Sequence, residues 1–214
     1  MVDVLQRIGE LGVVPVIAIE NAADAPKLGQ ALLDGGLPCA EITFRTAAAA
    51  EAIKLMTAEC PDVLVGAGTV MTVDQAKRAS EAGAKFIVTP GFDEDVVAWC
   101  IEHDMPVTPG VVTPTEINMA LKKGLNVVKF FPAEASGGVK TLKAIAAPYQ
   151  GIKFIPTGGI TAGNLADYLS LKSVLACGGS WMVTKDLISA GRFDQISAMS
   201  AEAVAVVRKI RGGD

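Results

Sequence analysis

Asn126-Val-Val-Lys-Phe-Phe-Pro132 sets a single lysine, Lys129, among apolar and β-favouring neighbours, the composition of a buried strand. A buried ammonium is costly, and lysine is almost never found there without a partner. Two readings follow. Either the stem packs while the head reaches water or a carboxylate, or burial keeps the amine neutral and nucleophilic, the condition for Schiff-base chemistry on a carbonyl.

Working outward, this stretch is one of a series. Apolar runs recur at Val13–Ile19, Cys39–Phe44, Val63–Thr69, Lys85–Thr89, Met105–Pro109, Asn126–Phe131, Lys153–Pro156 and Val174–Cys177. Their starts fall roughly 20 to 27 residues apart, the spacing of a repeated supersecondary unit. Helical periodicity fills the gaps. The expected helix starts are Asn21, Thr46, Thr72 or Asp74, Asp93, the capping sequence Thr113-Pro-Thr-Glu116, and Thr161. Gly35-Gly36, Gly83 and Gly124 stand where helices end. A short amphipathic helix is expected over residues 3–11, with Val4, Leu5, Ile8 and Leu11 on one face, and a longer one over Arg192–Arg211.

Eight strand–helix alternations without a linker predict a closed (β/α)8 barrel, with an N-terminal helix, as one domain over residues 1–214. An open doubly wound sheet would also alternate, but would carry a glycine-rich fingerprint after its first strand, and none follows Val13–Glu20. The 214 residues suit this, since such barrels begin at about 200.

Composition excludes several functions. With a net charge of −4 and no basic cluster, nothing points to nucleic acid. Cys39, Cys60, Cys100 and Cys177 form no CxxC pair, and one histidine, His103, cannot build a histidine metal site. No apolar run nears the ~18 residues of a membrane span, and the opening Met1-Val-Asp-Val-Leu-Gln-Arg has no leader pattern. The expectation is a cytoplasmic protein. An anionic substrate would have to be held by local geometry.

Barrel enzymes carry reactive groups where strands end and loops begin. In Glu41-Ile-Thr-Phe-Arg45 the polar side chains alternate with apolar ones. The outer face of an all-parallel barrel is covered by helices, so Ile42 and Phe44 should pack outward and Glu41, Thr43 and Arg45 should face the mouth. Val127, Lys129 and Phe131 share a face of the sixth strand by the same rule. Strands two and six oppose each other, so Glu41 and Lys129 can converge. A structural ion pair is the competing reading. The third strand ends in Gly66-Ala-Gly-Thr69, whose small residues leave interior room and whose threonine supplies a hydroxyl at the mouth. Strands seven and eight end in Pro156-Thr-Gly-Gly159 and Gly178-Gly-Ser180. Glycine-rich loops at that pair of strands suit phosphate, bound on backbone N–H groups.

Together, Glu41-Ile-Thr-Phe-Arg45, Gly66-Ala-Gly-Thr-Val70, Val128-Lys-Phe-Phe-Pro-Ala-Glu134, Pro156-Thr-Gly-Gly-Ile160 and Gly178-Gly-Ser-Trp181 resemble the class I 2-keto-3-deoxy-6-phosphogluconate (KDPG) aldolases, some of which also cleave 4-hydroxy-2-oxoglutarate. The likeness runs in order along nearly the whole chain. It implies a barrel, a homotrimer, a phosphorylated keto acid substrate, and a covalent lysine imine with no metal or other cofactor. By resemblance, Lys129 is the Schiff-base lysine and Glu41 the general acid/base. Arg45 and Thr69 are implied for the substrate carboxylate, Pro90 and Phe131 for the pocket wall, and Gly158, Gly159, Gly179 and Ser180 for the phosphate. The rival expectations are a sugar-phosphate isomerase of the same architecture and a non-catalytic binder of phosphorylated sugar acids.

Overall fold

In the computed structural model, which describes residues 4–212, parallel strands curl into a barrel wrapped by helices. Asp3, the expected first residue of the N-terminal helix, lies outside the described residues, as do Met1 and Val2 of the opening stretch. The first three strands are β1 (Val13–Ile17), β2 (Cys39–Thr43) and β3 (Leu64–Gly68), each buried along its whole length. That is why they read as continuous apolar runs with few polar interruptions.

The fourth and fifth runs yield less strand than expected. Only Ile87–Val88 of the fourth forms β4. The fifth is divided into β5 (Val107–Thr108) and β6 (Gly110–Val111) on either side of Pro109. Proline has no N–H to donate, so the ladder cannot run through it. The two halves face different neighbours. Ile87 and Val88 pair with Val107 and Thr108, whereas Gly110 and Val111 pair with Lys129 and Phe130 of β7 (Val127–Phe130).

Closure follows on the other side. β8 (Lys153–Pro156) pairs with β7, β9 (Cys177–Gly179) pairs with β1, and single bridges, Phe154 to Val174 and Thr157 to Gly178, join the last two. The last run was expected at Val174–Cys177. Its strand lies further on, at 177–179, and Val174 contributes only its bridge. The result is the expected eight-unit barrel, its fifth strand broken in two.

Side-chain alternation divides the apolar residues into two cores. Ile42, Val65, Ala67, Val128 and Phe130 point outward to Leu28, Leu32, Ile53, Val97 and Ile117 on the helices. Val14, Cys39, Leu64, Phe86, Val88, Val127, Ile155 and Ala176 fill the barrel interior, with Ile8 of α1 (Val4–Leu11) packed among them. Burying Ile8 stabilises the fold by roughly 2 kcal/mol. It also ties α1 to the interior layer below the site, one residue pair down each strand from Glu41 and Lys129.

The helices show which local signals survive tertiary context. Asn21 caps a 3-10 turn (Ala22–Asp24) that leads into α2 (Ala25–Asp34). Thr72 caps α4 (Val73–Glu81), Asp93 caps α5 (Glu94–Glu102), and Thr113 with Glu116 forms a full capping box on α6 (Pro114–Lys122). Two expected caps are overturned. α3 (Ala49–Glu59) starts three residues after Thr46, whose hydroxyl donates to Ile19 O on the neighbouring strand's loop at 2.6 Å. Thr161 does not cap α8 (Leu165–Leu169) either. Its own N–H is taken by Asn164 Oδ1 at 2.8 Å. Beyond α7 (Gly138–Ala146) and α9 (Lys185–Ser189), the long α10 (Phe193–Arg211) lays Ile196, Ala203 and Val207 against the barrel and α2. Ser197 and Ser200 of α10 sit against Gly35, where no side chain would fit.

Candidate active site

The strand ends enclose a cavity of about 220 Å³. Its wall contains Arg45, Thr69, Pro90, Lys129 and Phe131, together with Gly158, Gly159, Gly179 and Ser180 from the ends of β8 and β9. Of the residues expected at the mouth, Thr43 is absent from the lining, and so is Glu41. Glu41 lies behind Lys129, in the barrel.

Period-two geometry accounts for that arrangement. Glu41 is the third residue of β2 and sits inward in register with Val16 and Gly66, while Lys129 is the third residue of β7 and pairs with Ile155. From opposite walls the two side chains come to 3.6 Å, Lys129 Nζ to Glu41 Oε1, each about 5 % exposed or less. That separation exceeds a normal hydrogen bond, and Glu41 Oε1 has no hydrogen-bonding partner. A buried carboxylate oxygen left unsatisfied is unfavourable by about 1–3 kcal/mol, which a merely structural pair would have no reason to retain. The Phe131 ring lies 4.9 Å from Lys129 Nζ and forms part of the apolar lip around the amine.

The small residues of β3 do not leave empty room. A side chain at Gly66 would strike the Phe86 ring, and one at Gly68 would strike the Glu41 carboxylate. Gly68 therefore gives Glu41 its space. Thr69, next along, has φ 54°. A β-branched residue in the left-handed region is strained, and such strain of about 1–3 kcal/mol collects at functional sites.

Arg45 is exposed at the rim, and its Nε donates to Thr43 Oγ1 at 3.0 Å. Thr43 is buried and in turn donates to Ile17 O at 2.7 Å. One edge of the guanidinium is thus fixed, and its remaining N–H donors are left for a ligand. Phe44, expected to pack outward, does so in part, with Arg78 5.7 Å from its ring centre.

After β8, Gly158 and Gly159 have φ of 95° and 83°, conformations open to glycine. Their carbonyls are engaged away from the cavity: Gly158 O accepts from Glu134 N at 3.0 Å and Gly159 O from Asn164 Nδ2 at 3.0 Å. Among the described residues no protein acceptor takes the N–H of Gly159 or Ile160, and both residues line the cavity. The loop is built to offer donors.

Val16, Thr157, Ile160 and Gly178 also line the cavity and were not assigned from sequence. Thr157 and Gly178 lay inside the loops already singled out, and Val16 was available from the alternation of Val14 and Val16 along β1. His103 ends α5, stacked on Trp99 with ring centres 4.3 Å apart, away from the cavity. All four cysteines are free and buried, and burial pushes the thiols of Cys39, Cys100 and Cys177 up to about 12, leaving them inert. Among the described residues no cluster of metal-ligating side chains occurs, and no helix is long and apolar enough to cross a membrane.

A parallel barrel with a buried amine beside a carboxylate at its open end, and a glycine loop at the end of the neighbouring strand, defines a class: enzymes that act on a carbonyl substrate through a lysine imine. Residues 4–199 match the family model described as KDPG and KHG aldolase, and the chain belongs to that family. It is 49 % identical over 207 residues to the 2-dehydro-3-deoxy-phosphogluconate aldolase of Treponema pallidum, covering 97 % of this chain and 99 % of that one. It is 45 % identical to the KHG/KDPG aldolase of Escherichia coli K12, covering 90 % of each. Among solved structures, the KDPG aldolase of Legionella pneumophila, in which pyruvate was captured as a covalent carbinolamine, superposes with a TM-score of 0.90 at 37 % identity, covering 93 % of this chain and 97 % of that one.

Proposed function

We propose that this chain is a class I aldolase that cleaves KDPG to pyruvate and glyceraldehyde 3-phosphate, with Lys129 as the imine-forming residue and Glu41 as the proton carrier. The observation that carries the reading is the buried Lys129 amine 3.6 Å from a carboxylate oxygen that has no other partner. Neutral Lys129 adds to the C2 ketone, and loss of water gives an iminium. Glu41 takes the C4 hydroxyl proton, the C3–C4 electron pair moves into the iminium, and the aldehyde leaves. Glu41 returns its proton to C3 of the enamine, and water then releases pyruvate and the free amine. The iminium supplies the electron sink, so the cycle needs no metal.

In this reading Arg45 and Thr69 hold the substrate carboxylate, Pro90 and Phe131 form the wall beside the reacting carbons, and Gly158, Gly159, Gly179 and Ser180 take the phosphate. The same chemistry on 4-hydroxy-2-oxoglutarate yields pyruvate and glyoxylate, with the phosphate loop unused. We take the protein to be a cytoplasmic homotrimer of single-domain subunits, as the family resemblance implies.

A sugar-phosphate isomerase would employ the glycine loops but give the buried amine no task, and a binding protein would need no proton carrier. Incubation with pyruvate and borohydride separates these readings. Covalent mass on Lys129, together with pyruvate release from KDPG in the presence of chelator, is the expected result. Unmodified Lys129 would overturn the proposal.

A further inference from the structure

Glu134 follows the lysine strand by four residues and turns back over the phosphate loop. Its backbone N–H donates to Gly158 O at 3.0 Å, and the N–H of Ala133 donates to Thr157 O at 2.8 Å. These two bonds join the loop after β7 to the loop after β8. The Glu134 methylenes then lie against Gly159 so closely that a Cβ there would come within 2.5 Å of Cγ. The carboxylate is held from a third element: Tyr168, fully buried in α8, donates its hydroxyl to Glu134 Oε1. Neither Glu134 nor Tyr168 lines the cavity.

We propose that Tyr168 and Glu134 form a clamp that sets the conformation of the Gly158-Gly159 loop, making Tyr168 a positioning residue for phosphorylated substrates in particular. A loop of two glycines in left-handed conformations has many alternatives, since glycine resists few backbone angles. Donors must be held in place before the anion arrives for their full strength to be felt. The clamp provides that hold from the back, while Asn164 fixes the Gly159 carbonyl from the same side. Burial, with the Glu134 carboxylate adding to it, pushes the Tyr168 hydroxyl above its ordinary range, so it remains a donor throughout the working pH range. Lys129 makes its own contacts, with Glu41 and the Phe131 ring, and neither involves Glu134 or Tyr168.

The inference rests on the reading of the glycine loop as the phosphate site, and the test keeps the two separable. Steady-state kinetics are measured with KDPG and with the unphosphorylated 4-hydroxy-2-oxoglutarate on the full chain, Tyr168→Phe, Glu134→Ala and Glu134→Gln. Losing the clamp should raise KM for KDPG about tenfold in Tyr168→Phe and Glu134→Ala, as misplacement of a binding group does. In the same variants kcat for KDPG and kcat/KM for 4-hydroxy-2-oxoglutarate should hold within about twofold, and pyruvate trapping on Lys129 should be unchanged. Glu134→Gln retains an acceptor for the tyrosine and should keep most of the wild-type KM. Equal losses on both substrates, or no change in either, would reduce the pair to a packing contact and overturn the clamp. If Tyr168→Phe does not fold, the two Glu134 variants decide the matter by the same comparison. A wild-type protein that shows no preference for the phosphorylated acid would sink the phosphate reading itself, and the clamp with it.

Discussion

Lys129 Nζ and Glu41 Oε1 face each other at 3.6 Å across the barrel, and the carboxylate oxygen has no other partner. The gap is too long for a strong hydrogen bond and too short for water to lie between them. Each group is therefore held ready for a third participant. Lys129→Ala is expected to abolish aldehyde release and borohydride trapping of pyruvate. Glu41→Gln should still be trapped as the imine, but with cleavage slowed about 10²- to 10⁴-fold, the usual share of a general acid/base. Mass spectrometry after reduction and a coupled pyruvate assay read the two effects apart. Near-normal turnover in the glutamine variant would assign the proton to another group.

Gly68 is the neighbour that makes this geometry possible, because any side chain there would strike the Glu41 carboxylate. Gly68→Ala should push Glu41 off its position and lower kcat by about a hundredfold, the scale of a misplaced catalytic group. Imine formation with pyruvate should continue. The readout is single-turnover aldehyde release beside trapping yield. Wild-type release would mean that Glu41 has freedom the packing denies it.

Thr69 is held at φ 54°. Thr69→Gly removes strain of about 1–3 kcal/mol but adds roughly 0.4–1 kcal/mol of unfolded-chain entropy. Strain is the larger, so the variant should unfold about 1 kcal/mol later in denaturant while kcat/KM falls. A loss of both stability and activity would show that the threonine conformation is unstrained.

Glu116 links local capping to acid stability. Burial alone would raise its carboxyl, but hydrogen bonds from Val112 N–H and from the Thr113 hydroxyl and N–H outweigh that and hold it below its ordinary 4.5. A carboxylate depressed in the folded state contributes stability above its unfolded pKa, and the contribution is lost as pH falls through the folded value. Glu116→Gln should therefore melt below the wild type at pH 7, and the two curves should draw together as pH falls from 4.5 and meet below the lower folded value. Thr113→Ala, which removes the other half of the box, should be destabilised by about 1 kcal/mol. Melting curves across pH for all three proteins provide the check.

Much of this was legible before any coordinates. The recurrence of apolar runs identified the barrel because both faces of an enclosed parallel sheet must be apolar, and a polar residue inside such a run then stands out. Glu41, Thr43 and Lys129 stood out for that reason, and alternation alone assigned their direction. Capping was read correctly at Asp93 and Thr113, and the choice left between Thr72 and Asp74 falls to Thr72; in each the acceptor and donor lie within one turn. It failed at Thr46, because the Ile19 carbonyl, 27 residues away in sequence, takes that hydroxyl instead. The break of the fifth strand at Pro109 could have been inferred from the missing N–H, but the sharing of its halves between two neighbours could not.

What the chain's order of residues determined by itself is therefore the set of elements, the inward or outward sense of each strand residue, and the kinds of group brought to the open end. Those follow from periodicity and from the cost of burying polar atoms, which act over a few residues. Tertiary structure alone decided the distance between Glu41 and Lys129, the position of Glu41 behind the cavity wall, the crowding at Gly68, and the contact of Tyr168 with Glu134. Each depends on how far strands are staggered when the sheet closes. Stagger is a property of the closed barrel as a whole, and no local stretch encodes it.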